Sequence, residues 1–465
     1  MSYLISLLEL FQHELLLFGA FWLLMGAIDD ALIDLIWIVR RVYRQLKYYR
    51  VQQPMSADDL PPPYRPGLLA IFVPTWREAD VIGTMLARCG ENWQSGKTDY
   101  RIYVGCYPND AEGIAQVEAA GVQNPRIRLA VLAHNGPTTK ADCLNAIWQT
   151  LWTDELAEGF KAKAVILHDA EDAVHARELD IFDRLIEKCG AVQLPVIPIR
   201  ASKSRWISGH YCDEFAEAHG KTMVVREAIG AALPLAGVGC AIDRNLLGRI
   251  ALNNEGRPFD GGSLTEDYEL GLHIGALGNR TIMARITDAS GELVGTRAYF
   301  PDTLDASVRQ KARWLTGIAL AGWDRLGWQG KLAEKWMRLH DRRSIFAAMV
   351  LVIAYICIVL TALLAILYVG GFHQPKPLPD LLVTVLAINA GFLLWRLAVR
   401  AAFVGAIYGT AEALLSVPRG FIANIIAIMA ARRACIAYSR HCFGAPLIWD
   451  KTTHHRIPEA VSPHD

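Results

Sequence analysis

Val165-Ile-Leu-His-Asp-Ala-Glu-Asp-Ala-Val174 decides how this chain is read. With Ala164 ahead of it, the apolar start reads as a short buried strand over 164–167. The strand runs out into three carboxylates, Asp169, Glu171 and Asp172. In an open α/β sheet, ligands bind in the crevice beyond the carboxyl ends of the strands. Three acids placed there repel one another unless a cation or a set of donors is shared among them. Asp169 and Glu171, two residues apart on an extended loop, can reach one ion. Mg2+ takes only one or two carboxylates, with phosphate oxygens and water completing its shell. The stretch therefore predicts a divalent metal, Mg2+ or Mn2+, held on a nucleotide diphosphate. Asp172 has two readings. It can cap a helix that starts near 176, or it can replace Glu171 as the second ligand.

Outward from this stretch the pattern alternates. Apolar strands over 68–73, 100–106 and 127–132 are interleaved with helical periodicity over 79–89, 111–120, 141–151 and 176–189. Strands alternating with helices mean βαβ units and a mostly parallel sheet. From 191 the pattern loosens into a strand to 199, an amphipathic helix over 206–229, a strand around 235–242 and a helix after Thr265.

The chain of 465 residues carries 47 basic and 47 acidic side chains, a balance that argues against a nucleic-acid partner. Apolar residues make up 52%, unevenly spread, which predicts a soluble domain joined to membrane segments. The nine cysteines form no CxxC pair, so neither a zinc site nor a disulfide framework is expected. Residues 1–39 are largely apolar and lack a basic n-region, so they read as an anchor rather than a cleaved leader. Arg40, Arg41, Arg44, Lys47 and Arg50 follow and place the next segment in the cytosol. Asp29, Asp30 and Asp34 either face a bundle interior or sit at an interface. A Pro-rich linker leads to the main domain.

The expected divisions are an N-terminal anchor and basic segment over 1–50, a catalytic domain over 67–303, and interfacial amphipathic helices over 304–343. Two spans follow over 344–408, then an interfacial or re-entrant helix with a cytosolic tail over 409–465. That makes about three spans, with a fourth as the minority reading.

Four signatures occur in order. Phe72-Val-Pro74-Thr-Trp-Arg-Glu78 marks a strand turning out of the sheet. Lys140-Ala-Asp-Cys-Leu-Asn145 opens a helix with a cation suited to a phosphate or sugar. Asp169-Ala-Glu171 is the acid pair. Thr265-Glu266-Asp267, which alone reads as a helix cap, is followed by Gln310-Lys-Ala-Arg313-Trp314. Arginine offers a fixed fork for a diphosphate, and tryptophan a flat face for a sugar ring.

These motifs, with the membrane frame, resemble the family 2 glycosyltransferases that build polysaccharides, such as cellulose, hyaluronan and poly-N-acetylglucosamine synthases. Tyr107-Pro-Asn-Asp110, Ser208-Gly-His-Tyr-Cys-Asp-Glu214 and Trp449-Asp-Lys-Thr-Thr-His454 bring the resemblance nearest to the inner-membrane glycosyltransferases called phage adsorption protein B. The resemblance implies a GT-A fold, Rossmann-like with a mostly parallel sheet, in a cytosolic domain of the bacterial inner membrane. It implies Asp267, beside Glu266, as catalytic base, and Asp169 with Glu171 or Asp172 as metal ligands. It implies Pro74, Glu78, Asp110, Lys140, Asn145, Gly239, Gln310, Arg313 and Trp314 as substrate contacts. The family's Asp-Asp-Gly uracil contact is replaced here by Cys106-Tyr-Pro-Asn-Asp110.

The implied activity is an inverting, metal-dependent polymerisation of a nucleotide sugar, a UDP-N-acetylhexosamine by analogy, into an exported polysaccharide. Its partners would be the donor, a growing glycan, the lipid bilayer, an export partner in the periplasm or outer membrane, and a separate cyclic di-GMP-sensing regulator. No such sensing domain is expected within the chain, and Arg396 and Arg400 have only the spacing of an RxxxR motif. Two other readings stay open: a non-processive transferase acting on a polyprenyl phosphate, and a catalytically silent membrane scaffold.

Overall fold

The computed structural model describes residues 2–94, 96–202, 204–372, 374 and 376–445. The tail motif over 449–454 lies outside the described residues. A first long helix, α1 (Ser2–Lys47), ends in Arg44 and Lys47, cations that suit the negative end of a helix. Then the βαβ series begins: β1 (Leu69–Pro74), α2 (Ala79–Trp93), β2 (Tyr100–Cys106), α3 (Ala111–Gln123), β3 (Ile127–Val131), α4 (Lys140–Glu158), β4 (Ala164–Leu167) and α5 (Glu178–Leu185). Strands β1, β2, β3 and β4 are mutually parallel, with Leu69 opposite Tyr100 on one side and Ala164 on the other.

The period of two along β1 sorts its side chains between two cores. Leu69, Ile71 and Val73 pack with Ile82 and Met85 of α2 and with Phe182 of α5. Ala70 and Phe72 pack on the other face with Leu144, Ile147 and Trp148 of α4. Every residue from Leu69 to Val73 is fully buried, so no alternation of polar and apolar residues shows in the sequence.

The second half supplies β5 (Ala191–Gln193), β6 (Val196–Ile199), α6 (Ile207–Glu217), α7 (Met223–Ala228), β7 (Cys240–Asp243), α8 (Arg244–Leu252), α9 (Glu266–Ala276), β8 (Thr281–Met283) and β9 (Thr296–Tyr299). The main sheet has the order β3-β2-β1-β4-β7-β5-β8, and β6 and β9 form a separate parallel pair. Strand β7 runs antiparallel to β4, with Cys240 opposite Leu167. The loop ahead of β7 therefore reaches the same crevice into which β4 empties. A π-helical turn, Ala218–Thr222, joins α6 to α7 within the single helix expected from sequence.

The expected interfacial region is α10 (Leu304–Leu315), a second π turn (Thr316–Ala321), α11 (Gly322–Leu326) and α12 (Leu332–Arg342). Arg342 lies over the rings of both Trp323 and Trp328. Three long helices follow: α13 (Ser344–Val369), α14 (Asp380–Tyr408) and α15 (Thr410–Cys442). Among the described residues four helices, α1, α13, α14 and α15, are long and apolar enough to cross a membrane. The sequence reading counted three and made 411–438 interfacial or re-entrant. The helix α15 continues unbroken through Pro418, with the length and composition that the minority reading of a fourth span requires.

Several charged residues within these helices are paired, which offsets their cost in an apolar setting. Asp29 accepts from Trp336 Nε1 at 2.5 Å and meets His340 and Arg343, while Asp30 pairs with Arg343 and Arg396. Asp34 takes Lys221 Nζ at 2.5 Å and Trp395 Nε1 at 2.8 Å. Arg400 pairs with Glu217, and buried Arg419 with Asp213 and Glu412. The three N-terminal aspartates thus point at partners on α12, α14 and the α6–α7 helix. The same contacts bolt the α/β domain to the long helices, and Ala312 of α10 packs on Ala430 and Ala434 of α15.

Candidate active site

Because β1, β2 and β4 are parallel, Pro74, Cys106 and Leu167 all end on one side of the sheet. A cavity of about 320 Å³ opens there. It is lined by Pro74, Glu78, Lys140, Asp169, Glu171, Asp172, Glu266, Asp267, Gln310, Arg313 and Trp314. Residues far apart in sequence are thus brought together from the end of β1, the start of α4, the end of β4, the start of α9 and the body of α10.

Lys140 connects two sides of the cavity. Thr139 caps α4 by accepting the Asp142 N–H, which leaves Lys140 at the first helical position. Its Nζ sits 2.5 Å from Asp169 Oδ1 and donates to the Gly237 carbonyl at 3.2 Å. Burial opposes its charge, but Asp169, Glu266 and Asp267 outweigh it and hold the ammonium firmly protonated. Glu266 is pushed up to about 7 by burial and by its neighbour Asp267. Burial also raises Asp267, against the pull of Lys140 and Arg313. Thr265 precedes them at the N-cap position of α9, yet its side chain makes no capping bond, and its Oγ1 is buried without a partner among the described residues. The plain helix-cap reading of Thr265-Glu-Asp is not what the hydroxyl does.

The loop ahead of β7 needs its glycines. Gly237 has φ +72°, and a Cβ there would lie 2.6 Å from Asp267 Oδ2. Gly239 has φ +57°, and a Cβ would lie 2.2 Å from Thr296 Oγ1. Both positions favour glycine by conformation and again by space. Gln193 holds this loop, donating to the carbonyls of Val238 and Gly239 and accepting from the Ala236 N–H.

Three expected contacts sit elsewhere. Asp110 caps α3, accepting from the N–H groups of Gly113 and Arg77. Asn145 exchanges two hydrogen bonds with the backbone of Phe259, tying α4 to the 253–265 loop. Gly239 shapes the loop backbone rather than lining the cavity. Asp172 is 1% exposed and does not cap α5, whose N-cap is Arg177. Its Oδ2 faces His168 Nδ1 at 2.9 Å and accepts the Asp169 N–H at 3.0 Å.

Trp76, Tyr107 and Asn109 stand within the motifs read from the sequence but had no firm role there, and several further cavity residues were passed over. Trp76 and Tyr107 stand edge to face at 5.2 Å, and Asn109 joins the two mouth loops through a paired exchange with Gly136. Phe215, His219, Phe300 and Ile318 line the opposite end with Trp314. Their aromatic character was visible, but nothing local marked them as neighbours. His219 accepts the Val196 N–H at Nδ1, and burial pushes it down to about 3, so it stays neutral.

The donor set fits a hard divalent cation. Six carboxylates, Glu78, Asp169, Glu171, Asp172, Glu266 and Asp267, line the cavity against the two cations Lys140 and Arg313. Among the described residues, groups of three ligating atoms within 4.8 Å occur only at Asp29, Asp30, His340 and at His175, Asp288, Glu292. Among the described residues no three ligating atoms of the cavity lie that close together, which suits an ion that takes one or two carboxylates and shares its shell with phosphate and water.

A doubly wound sheet with acids at the β4 crevice, a second acid pair on α9 and an Arg–Trp unit on α10 defines a GT-A glycosyltransferase. The family model "Glycosyltransferase like family 2" matches residues 66–317, and the chain belongs to that family. Its curated relatives include bacteriophage adsorption protein B of Escherichia coli (strain K12) and bacteriophage N4 adsorption protein B of Escherichia coli O157:H7. Each is 35% identical over 454 residues, across 92% of this chain. The chain spans 60% of the length of those relatives. Among solved structures, a mannosyltransferase from Pyrobaculum calidifontis, determined with GDP-Man and Mn2+, is similar at a TM-score of 0.53. It is 16% identical, covers 89% of this chain and 99% of its own, and the likeness is one of fold.

Proposed function

We propose that this chain is a membrane-embedded inverting glycosyltransferase that moves a sugar from a nucleotide-sugar donor to a hydroxyl of a glycan acceptor. The catalytic domain would face the cytosol at a bacterial inner membrane, as the basic cluster at the end of α1 argues. The observation that carries the reading is the single cavity shared by Asp169, Glu171, Lys140, Asp267, Arg313 and Trp314. It offers a cation site, charge for a leaving diphosphate, a base and a sugar platform in one place.

Asp169 and Glu171 would hold Mg2+ or Mn2+, an ion that offsets charge on a diphosphate leaving group. Lys140 and Arg313 share that charge as it develops. Asp267 accepts the proton of the acceptor hydroxyl, and its raised pKa suits a base working near neutral pH. A base on the acceptor side suits a single displacement with inversion. The rings of Trp76 and Tyr107 would flank the nucleotide base, a role that does not call on Asp110. Trp314, Phe215 and Phe300 would receive the acceptor sugar. The GDP-Man and Mn2+ bound by the Pyrobaculum enzyme accord with this donor class. Polymerisation of a UDP-N-acetylhexosamine, export of the product and control by a cyclic di-GMP-sensing partner extend the reading by family analogy.

A panel of nucleotide sugars, with and without Mn2+, tests it. Release of nucleoside diphosphate from one donor, dependent on metal, supports the proposal. Product length then separates polymer from a single sugar on a polyprenyl phosphate. No release from any donor favours a silent scaffold.

A further inference from the structure

We propose that His168 is a positioning residue for the metal-binding acid Asp169, acting through Asp172, and that Asp172 is an anchor rather than a ligand. The inference rests on the reading of Asp169 and Glu171 as the cation site.

His168 directly follows β4, and its N–H bonds the Phe72 carbonyl at 3.1 Å, so its backbone continues the alignment with β1. The imidazole is completely buried. Its Nδ1 lies 2.9 Å from Asp172 Oδ2 and its Nε2 lies 3.0 Å from Glu178 Oε1. Each ring nitrogen thus faces one oxygen of a buried carboxylate. Glu178 is itself completely buried, and its other oxygen accepts the His175 N–H at 3.3 Å. Both ends of the 168–178 connection are therefore fastened to one ring.

The turn that carries the acid pair is closed by the same group. Asp172 Oδ2 accepts the Asp169 N–H at 3.0 Å, and the Asp172 N–H returns to the Asp169 carbonyl at 3.1 Å. With its main chain held this way, Asp169 presents its carboxylate toward Lys140. Asp172 reaches the cavity wall, but Oδ2 already meets His168 Nδ1 and the Asp169 N–H, and Oδ1 is sealed from solvent. A buried oxygen behind the turn is badly placed for an ion that must also meet a diphosphate. Groups that orient a ligand commonly matter to metal affinity by about 10–100-fold when removed.

The test measures Mn2+ binding to the full-length chain in detergent, with excess UDP or GDP, from the electron paramagnetic resonance signal of free Mn2+. Thermal melts establish which variants are folded. Asp169→Ala should lose binding. His168→Gln and Glu178→Gln should each weaken it by about 10–100-fold. Combining His168→Gln with Asp172→Asn should be no worse than either alone, because both break one path. Glu178→Gln keeps its shape and serves if His168→Gln does not fold. Wild-type affinity in folded His168→Gln and Glu178→Gln would overturn the proposal. So would a loss of binding in Asp172→Asn as complete as in Asp169→Ala, beyond the roughly 10–100-fold weakening of His168→Gln, which would make Asp172 a ligand. A wild-type chain that binds no Mn2+ under these conditions removes the metal reading itself, and the proposal with it.

Discussion

Gly237→Ala isolates the placement of Asp267 from its chemistry. The backbone at 237 is left-handed, with φ +72°. That conformation costs a residue with a Cβ about 1–2 kcal/mol. The added carbon would also lie 2.6 Å from Asp267 Oδ2, whereas ordinary contact starts at 3.4 Å. The carboxylate and the loop must therefore separate by about 0.8 Å, close to the 1 Å misplacement that costs about 10²-fold in rate. The expected fall in kcat is about 10²-fold, or ~2.7 kcal/mol of barrier. Donor affinity should change less than kcat, because the added Cβ meets Asp267 and not Lys140 or Asp169. Gly230 supplies the control. It has the same φ of +72° but nothing within 4 Å of an added Cβ. Gly230→Ala should lower the apparent Tm as Gly237→Ala does, yet transfer sugar at the wild-type rate. The assay is kcat and donor Kd for both variants beside their melting curves. If Gly237→Ala turns over within about threefold of wild type, the steric argument for Asp267 is refuted.

Other expectations follow from the same geometry. The base must be ionised to act, and burial raises Asp267, so kcat should fall as pH drops through a value above the ~3.9 of free aspartate. Glu266→Gln removes a like charge and should move that acid limb to lower pH in a pH–rate profile; an unmoved limb counts against the pair. Trp314→Ala should raise the acceptor KM by about tenfold, the worth of a ring contact of ~1.4 kcal/mol, and leave donor hydrolysis in place; equal loss of both activities would contradict the assignment. Arg244 forms a buried pair with Glu155 at 2.5 Å. Arg244→Leu strands that carboxylate at a cost of about 3–5 kcal/mol and should lower the apparent Tm by several degrees in a thermal melt; an unchanged melt would show the carboxylate finds water.

Much of this was legible in the sequence because it was local. A four-residue apolar strand running into Asp169, and Gln310–Trp314 on one helix, announce themselves within a few residues. The antiparallel run of β7 does not, since Cys240-Ala-Ile242 is the same short apolar run whichever way it lies. Strands β8 and β9, of three and four residues, are too short to show a period. The roles of Asp110 and Asn145 depend on Arg77 and Phe259, partners fixed only by the fold. His168 lies between β4 and the acid pair, but the Glu178 that gives it a second carboxylate is ten residues away. In α15 the Pro418-Arg419 pair looked like a break. Arg419 is instead buried against Asp213 and Glu412, in space left by the missing side chain of Gly209.

The central claim is that Asp267 is the base of a sugar transfer fed by the Asp169 cation site. Donor binding and transfer by Asp267→Asn, measured side by side with wild type at saturating Mn2+, test it most directly. The account predicts nucleotide-sugar affinity close to wild type with transfer abolished. Full transfer by Asp267→Asn would contradict it.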